Sequence, residues 1–161
     1  MFHRWAALVL VLALCAMSPK NAAGQGQVQQ PRGHSANGKL GANYPNPFNP
    51  VTRLPFDVGP DGCTPGSGPQ YTITMQLVNV LGQVVVEPIL FDQDGSTGAP
   101  AASRGKPIHN MQLKCGHYEG FWDGRVNGRE AASGVYGQIL YVRDELGVSE
   151  APLTRKIYYK K

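Results

Sequence analysis

His109, Cys115 and His117 form the pattern in this sequence that is nearest to a metal site. Imidazole and thiolate groups are the ligands that zinc prefers, and a structural zinc site usually combines two closely spaced ligand pairs. Cys115 and His117 form one such pair, whereas His109 stands alone. A second closely spaced pair is therefore missing, and we predict that the protein binds no metal.

Asp92 and Asp94, which are followed by Gly95, resemble the first part of a calcium-binding loop. A complete loop of that kind supplies several more oxygen ligands at fixed spacing. These ligands do not follow here, so the segment is more typical of a polar turn.

Ser133 lies in the sequence Ala-Ser-Gly-Val, which is a partial match to a hydrolase nucleophile. A nucleophile elbow has glycine two positions before the serine, and the serine needs a histidine and an acid as partners. Position 131 is alanine, and no His/Asp pair is marked out. We therefore predict that the protein is not an enzyme, with no catalytic residue and no cofactor.

The N-terminal segment has the pattern of a Sec-type signal peptide. Arg4 provides a positive start, Trp5 to Met17 is apolar and uncharged, and Ala22-Ala23-Gly24 is a small-residue cleavage site. The apolar run is shorter than the roughly 20 residues that cross a bilayer. We predict that residues 1–24 direct export to the periplasm, cell surface or medium, and that the mature chain has no transmembrane segment.

Cys63 and Cys115 are the cysteines of the predicted mature chain. An exported protein meets an oxidising environment in which such a pair can form a disulfide. A bridge between positions 52 residues apart would contribute about 4 kcal/mol in the chain-entropy model. Two unpaired thiols in loops are the alternative, because the sequence does not show whether the Cα atoms come within about 7 Å.

The distribution of charge argues against a nucleic-acid partner. The signal peptide takes Arg4 and Lys20 with it, which leaves 13 basic residues against 11 acidic ones. Apart from Lys160 and Lys161, the basic residues are scattered, whereas nucleic-acid binding needs a clustered basic surface. We expect no nucleic-acid binding.

Residues 25–42 have the composition of a flexible linker. They are rich in Gln, Gly, Ser and Asn and hold almost no large apolar side chain. Such a segment cannot bury enough surface to offset its ordering entropy.

Short alternating segments without a helical period follow the linker. In Tyr71 to Val80, for example, Ile73, Met75 and Leu77 occupy one face. Pro55 lacks a ladder donor, which predicts that the first strand lies at an edge or a bulge. The predicted strands are Arg53–Val58, Tyr71–Val80, Gln83–Leu90, Ile108–Leu113, Tyr118–Trp122, Gly134–Arg143 and Leu153–Tyr159.

About seven such strands, separated by turn signals, predict an all-β fold. The expected architecture is an antiparallel immunoglobulin-like β-sandwich over residues 43–161.

The prolines of the octapeptide Asn43-Tyr44-Pro45-Asn46-Pro47-Phe48-Asn49-Pro50 exclude a helix or a central strand. Because a residue before proline is pushed to extended geometry, the octapeptide is predicted to be a stiff, extended leader of the sandwich.

Three further motifs are typical of turns and core anchors. Asn79-Val80-Leu81-Gly82 suits a hairpin turn, and Trp122-Asp123-Gly124-Arg125 combines a core aromatic residue with an Asx turn. Gly134-Val135-Tyr136 begins the predicted strand Gly134–Arg143.

Together with the basic final segment, these motifs resemble the type A C-terminal sorting domain of type IX secretion cargo. That family is similar in turn to the immunoglobulin-like domain of the flagellar hook-capping protein FlgD. The motif positions that carry the resemblance are Asn43, Tyr44, Pro45, Asn46, Pro47, Phe48, Asn49, Pro50, Asn79, Gly82, Trp122, Asp123, Gly124, Gly134 and Tyr136.

The resemblance implies that the final segment is a recognition strand. Arg155, Lys156, Ile157 and Lys160 would then be its sorting residues, and the partners would be the secretion machinery or other surface proteins.

An extracellular adhesion or assembly module is the second hypothesis, with contacts through Tyr136, Tyr141, Tyr158 and Tyr159. Enzymatic activity is the third and has the least support.

Overall fold

The computed structural model describes residues 34–35, 37–91 and 103–161, with side chains from residue 37 onward. The predicted antiparallel β-sandwich is confirmed, and this part of the chain contains no α-helix, hence none that could cross a membrane. Asp92 and Asp94 lie outside the described residues. The strands are β1 (His34–Ser35), β2 (Gly38–Leu40), β3 (Thr52–Val58), β4 (Tyr71–Val78), β5 (Val84–Val86), β6 (Ile89–Phe91), β7 (Met111–Leu113), β8 (Gly116–Trp122), β9 (Arg125–Val126), β10 (Arg129–Glu130), β11 (Gly134–Arg143) and β12 (Leu153–Tyr159).

Two antiparallel sheets enclose the core. The first sheet, sheet A, has the order β1-β2-β3-β8-β6, and the second, sheet B, has the order β12-β11-β4-β5. The short strands β5 and β7 pair with opposite ends of β4. Strands β9 and β10 form a separate hairpin.

The core follows the period-two pattern of the strands. In β4, Ile73, Met75 and Leu77 are fully buried as predicted, while Thr74 and Gln76 between them are half-buried on the outer face. The inner faces of β3, β8, β11 and β12 supply most of the remaining core side chains, including Phe56, Tyr118, Leu140 and Ile157. This alternation accounts for the confirmed fold class.

The segment that we predicted as one strand, Gln83–Leu90, is divided between the two sheets. Strand β5 pairs with β4 in sheet B, whereas β6 pairs with β8 in sheet A. Pro88 lies between them and has no N–H for a ladder, so the chain leaves one sheet there and joins the other.

Pro55 does not mark an edge or a bulge, because β3 has neighbours on both sides. The carbonyl of Pro55 accepts a hydrogen bond from the Gly41 N–H, one residue after β2 ends at Leu40. The nitrogen of Pro55 points to the same side of β3 as its carbonyl, towards Gly41. The pairing of β2 with β3 ends at Leu40, so the N–H that proline lacks is not needed for that pairing.

The sandwich begins earlier than the predicted boundary at Asn43. Residues 38–40 of the predicted linker form β2 and pair with β3. Leu40 is fully buried and reaches the core. The polar composition of residues 25–42 did not predict this strand. Pairing with β3 and burial of the Leu40 side chain are enough to order these three residues.

The octapeptide is bent rather than extended. Tyr44 pairs with Arg53 of sheet A, and Phe48 pairs with Tyr159 of sheet B. The octapeptide therefore crosses from one sheet to the other.

Pro50 closes the octapeptide against Gly124. A Cβ on Gly124 would lie 2.4 Å from the Pro50 carbonyl oxygen, and Gly124 has a φ of +74°. Only glycine permits both the backbone conformation and this close approach.

The predicted turn chemistry is present at both hairpin motifs. The Asn79 side-chain oxygen accepts hydrogen bonds from the N–H groups of Leu81 and Gln83, each at 3.0 Å. Asp123 accepts from the Arg125 N–H at 2.9 Å. Gly82 provides the positive φ of the first turn.

Cys63 and Cys115 are joined by a disulfide, with 6.2 Å between their Cα atoms. The bond ties the long loop after β3 to the residue that precedes β8. The Gly66 N–H also donates to the Cys115 carbonyl at 2.7 Å, so the loop is held at two points.

We predict that Gly124→Ala lowers the free energy of unfolding by about 1–3 kcal/mol more than Gly128→Ala does. Gly128 also has a positive φ, of +77°, but a Cβ there meets nothing within 4 Å. The control therefore carries only the backbone strain of about 1–2 kcal/mol. Urea unfolding measures the difference, and equal losses would show that the contact with Pro50 contributes nothing.

Replacing both bonded cysteines, as Cys63→Ala/Cys115→Ala, should remove about 4 kcal/mol of stability, because a loop closed over 52 positions is released in the unfolded chain. Urea unfolding with and without reductant checks this: the wild type should weaken on reduction and the double variant should not respond. A wild type that is insensitive to reductant would contradict the prediction.

Candidate functional site

Four aromatic residues from separate motifs form one cluster, which we call the aromatic cluster: Phe48, Trp122, Tyr136 and Tyr159. The ring centroids of Phe48 lie 5.3 Å from Trp122 and 4.9 Å from Tyr159. Tyr136 meets Trp122 edge-on at 5.2 Å. All four side chains are buried, so the octapeptide, the Trp-Asp-Gly-Arg motif and β11 share one packing unit with β12.

The octapeptide also holds β12 through the main chain. The Phe48 N–H donates to the Tyr158 carbonyl at 3.0 Å, and the Lys160 N–H donates to the Phe48 carbonyl at 3.1 Å. The Tyr158 N–H donates to the Asn46 side-chain oxygen at 3.2 Å. These three bonds, here called the terminal clasp, cover the outer edge of β12 at its C-terminal end.

Glu130, in the β9–β10 hairpin, also contacts the terminal segment, through Tyr159 and Lys161. Its carboxylate accepts the Tyr159 hydroxyl at 2.7 Å and lies 3.4 Å from the Lys161 ammonium. Burial is the larger cause and the hydrogen bond to Glu130 the smaller one by which the pKa of Tyr159 is raised to about 12. The hydrogen bond from Tyr159 lowers the pKa of Glu130. At neutral pH, Tyr159 therefore donates to an ionised carboxylate, which is a strong hydrogen bond.

Asn43 stabilises the start of the octapeptide. It is 3% exposed, and its amide donates to the Pro45 carbonyl and to the Thr52 hydroxyl, both at 3.0 Å. The Thr52 hydroxyl in turn donates to the Pro45 carbonyl at 3.1 Å. The two bonds donated by the buried amide nitrogen set the position of the chain ahead of the clasp.

The four predicted sorting residues have different environments. Lys156 and Lys160 are exposed, Ile157 is fully buried in the core, and Arg155 is half-buried. The Arg155 guanidinium donates to the Leu40 carbonyl of sheet A at 3.2 Å. Ile157 and Arg155 therefore anchor β12, while Lys156 and Lys160 face solvent.

One side of β12 is an open sheet edge between Leu153 and Ile157. The main-chain groups of Tyr158 point to this side, because they bond to Phe48 and Asn46 there. In an antiparallel strand, the groups of Thr154 and Lys156 point the same way. Among the described residues, none pairs with them on that side.

The residues considered for chemistry are not brought together. Cys115 is in the disulfide, His109 bonds to Glu87 at 2.7 Å, and His117 bonds to Asp57 at 2.7 Å. Within the described ranges, no three His, Cys, Asp or Glu side chains are grouped to hold a metal ion. The Ser133 hydroxyl accepts a hydrogen bond from the Lys161 N–H at 3.0 Å.

The four tyrosines considered for contacts divide between the core and the surface. Tyr136 and Tyr159 are 8% and 3% exposed and belong to the aromatic cluster. Tyr141 and Tyr158 are 41% and 46% exposed on the outer face of sheet B. Only the latter two are accessible to a partner.

Sequence reasoning missed Glu130, which bonds to the terminal segment from the β9–β10 hairpin. No local signal identifies it, because a glutamate in a polar turn is common and its partners Tyr159 and Lys161 are distant in the sequence.

The sequence matches no protein-family model and no curated protein. Among solved structures, a family 123 glycoside hydrolase from Clostridium perfringens is similar at 14% identity, with a TM-score of 0.28. The match covers 68% of this chain and 20% of that one, so this chain spans about a fifth of its length. A similarity this weak supports no conclusion about the fold or the activity of this chain.

Proposed function

We propose that this chain is an exported, non-catalytic immunoglobulin-like module whose C-terminal strand is a type IX sorting and cell-surface anchoring signal. One observation supports this most: residues of three separate motifs converge on β12. Phe48, Trp122 and Tyr136 all pack around Tyr159 or its neighbours. The motifs that carry the family resemblance thus act together to position the terminal strand.

The open edge of β12 provides a means of recognition. Thr154 and Lys156 present unpaired main-chain groups, which a partner can engage by adding a strand. The terminal clasp covers the neighbouring stretch, so the accessible edge is short and defined. A short edge that carries lysine also resists unselective strand pairing.

The exposed lysines supply the selective part of the surface. Lys156 lies on the outer face of β12, and Lys160, directly after the strand, points to the same side. Ile157 and Tyr159 between them are buried, as the alternation of a strand requires. A partner with acidic groups at the same spacing would recognise the strand by pairing with these two lysines.

An extracellular adhesion or assembly role is the second candidate. The accessible rings of Tyr141 and Tyr158 on the outer face of sheet B favour it. The genome of the source organism discriminates between the two, because a sorting role requires the type IX machinery.

We predict that Lys156→Glu/Lys160→Glu makes the protein accumulate in the periplasm, whereas the wild type reaches the surface or medium. Both lysines are exposed, so the charge reversal removes the recognition groups without entering the core. Deleting Leu153 to Lys161 is a poorer test, because it also removes the buried Ile157 and Tyr159. Fractionation of the host cell with detection of the protein measures the distribution.

The matched control is Lys106→Glu/Lys114→Glu, which makes the same change of charge at exposed positions away from β12. We expect this control to be delivered like the wild type. Normal delivery of the Lys156/Lys160 variant, or equal retention of both variants, would contradict recognition through β12.

A further inference from the structure

A polar cleft crosses the outer face of sheet B at the end opposite the aromatic cluster. We define it by six residues: Thr72, Thr74, Asn110, Gln112, Tyr141 and Arg143. It consists of two adjoining hollows of about 460 and 220 Å³, which share Thr72 and Arg143. Together they are of the size that small-molecule and sugar-sized ligands occupy.

Strand register arranges these side chains in two rows. Arg143 lies opposite Thr72, which lies opposite Gln112. In the next row, Tyr141 lies opposite Thr74, whose hydroxyl bonds to Asn110. Each row therefore places hydroxyl, amide and charged groups side by side across three neighbouring segments.

Hydrogen bonds hold the polar groups of the cleft in place before any ligand arrives. Gln112 donates to the Thr72 hydroxyl at 2.7 Å, and the Asn110 N–H donates to the Thr74 hydroxyl at 2.9 Å. The Asn110 amide lies 3.0 Å from the His109 ring, which bonds to Glu87. Preorganised groups lose little conformational entropy on binding.

The long loop after β3 forms one wall of the cleft. Gly68, Pro69 and Gln70 line the larger hollow, and the disulfide at Cys63 holds this loop against β8. The wall is thus a fixed part of the sandwich.

Tyr141 gives the cleft an aromatic surface. Tyr141 is 41% exposed and lines the smaller hollow beside Thr74. The C–H face of a pyranose packs on an aromatic ring, and sugar hydroxyls both donate to and accept from amide and hydroxyl groups. The combination of one accessible ring with several fixed amides and hydroxyls suits a sugar better than an apolar ligand.

The charge around the cleft selects against a polyanion. Arg143 is accompanied by three carboxylates, those of Asp144, Glu145 and Glu150. Burial raises the pKa of Tyr71, and these same carboxylates raise it further, so their field extends across this end of the sheet. An uncharged, hydroxyl-rich ligand therefore fits best.

We propose that the polar cleft binds a neutral polysaccharide, with the sugar packed on Tyr141 and its hydroxyls bonded to Thr72, Asn110 and Gln112. This function goes beyond the proposed sorting role and does not depend on it. Tyr158, at the sorting end, pairs with Val135, which is six positions along β11 from Tyr141. Six strand residues span about 20 Å, so the two surfaces are separate.

Affinity electrophoresis of the purified, oxidised protein tests this proposal. The native gels contain xylan, laminarin, galactomannan or dextran as neutral probes, or alginate as an anionic probe. We expect at least one neutral polysaccharide to retard the wild type and alginate not to do so. Tyr141→Ala should weaken binding about tenfold or more, and Tyr141→Phe should retain most of it, because the ring is kept.

Tyr158→Ala is the matched control, since Tyr158 is exposed to a similar extent on the same sheet face but lies outside the cleft. It should bind like the wild type, and thermal unfolding should show all three variants folded. The proposal is overturned if no neutral polysaccharide retards the wild type, if alginate alone does, or if folded Tyr141→Ala binds like the wild type. Normal binding by the Lys156→Glu/Lys160→Glu variant would separate this site from sorting.

Discussion

One contact joins three elements of the sandwich: the packing of Phe48 and Tyr159 on Trp122. Trp122 ends β8 in sheet A, Tyr159 ends β12 in sheet B, and Phe48 belongs to the octapeptide that crosses between the sheets. Removing a buried ring of this size costs about 3–5 kcal/mol, which is a large share of the stability of a small domain. Phe48 itself makes both main-chain bonds of the terminal clasp, to Tyr158 and Lys160.

This contact explains why motifs far apart in the sequence belong together. The octapeptide supplies Phe48 and, through Pro50, contacts Gly124; the Trp-Asp-Gly-Arg motif supplies the central ring and the turn that follows it. Each motif is structural by itself. Their joint effect is to hold the last strand with one edge open and two lysines exposed, which is the arrangement that the sorting proposal uses.

Local features were predicted well from the sequence and distant pairings were not. The bounds of β11 and β12 and the Asn79 turn follow from alternation and turn chemistry, which act over a few residues. The pairing of β2 with β3, the role of Pro55 and the contact between Phe48 and Tyr159 depend on which edge lies nearby in the fold. The bond from Tyr159 to Glu130 and the two polar rows beside Tyr141 also depend on which distant segments become neighbours in the fold.

Hydrogen–deuterium exchange of Phe48→Leu tests whether Phe48 holds the terminal strand. Leucine keeps an apolar side chain at this position but removes the ring that stacks on Tyr159. We expect faster exchange of the β12 amides that bond to β11, with unchanged protection of the amides between β3 and β8. Unchanged protection of β12, or an equal loss of protection in both sheets, would contradict the claim that Phe48 holds the terminal strand.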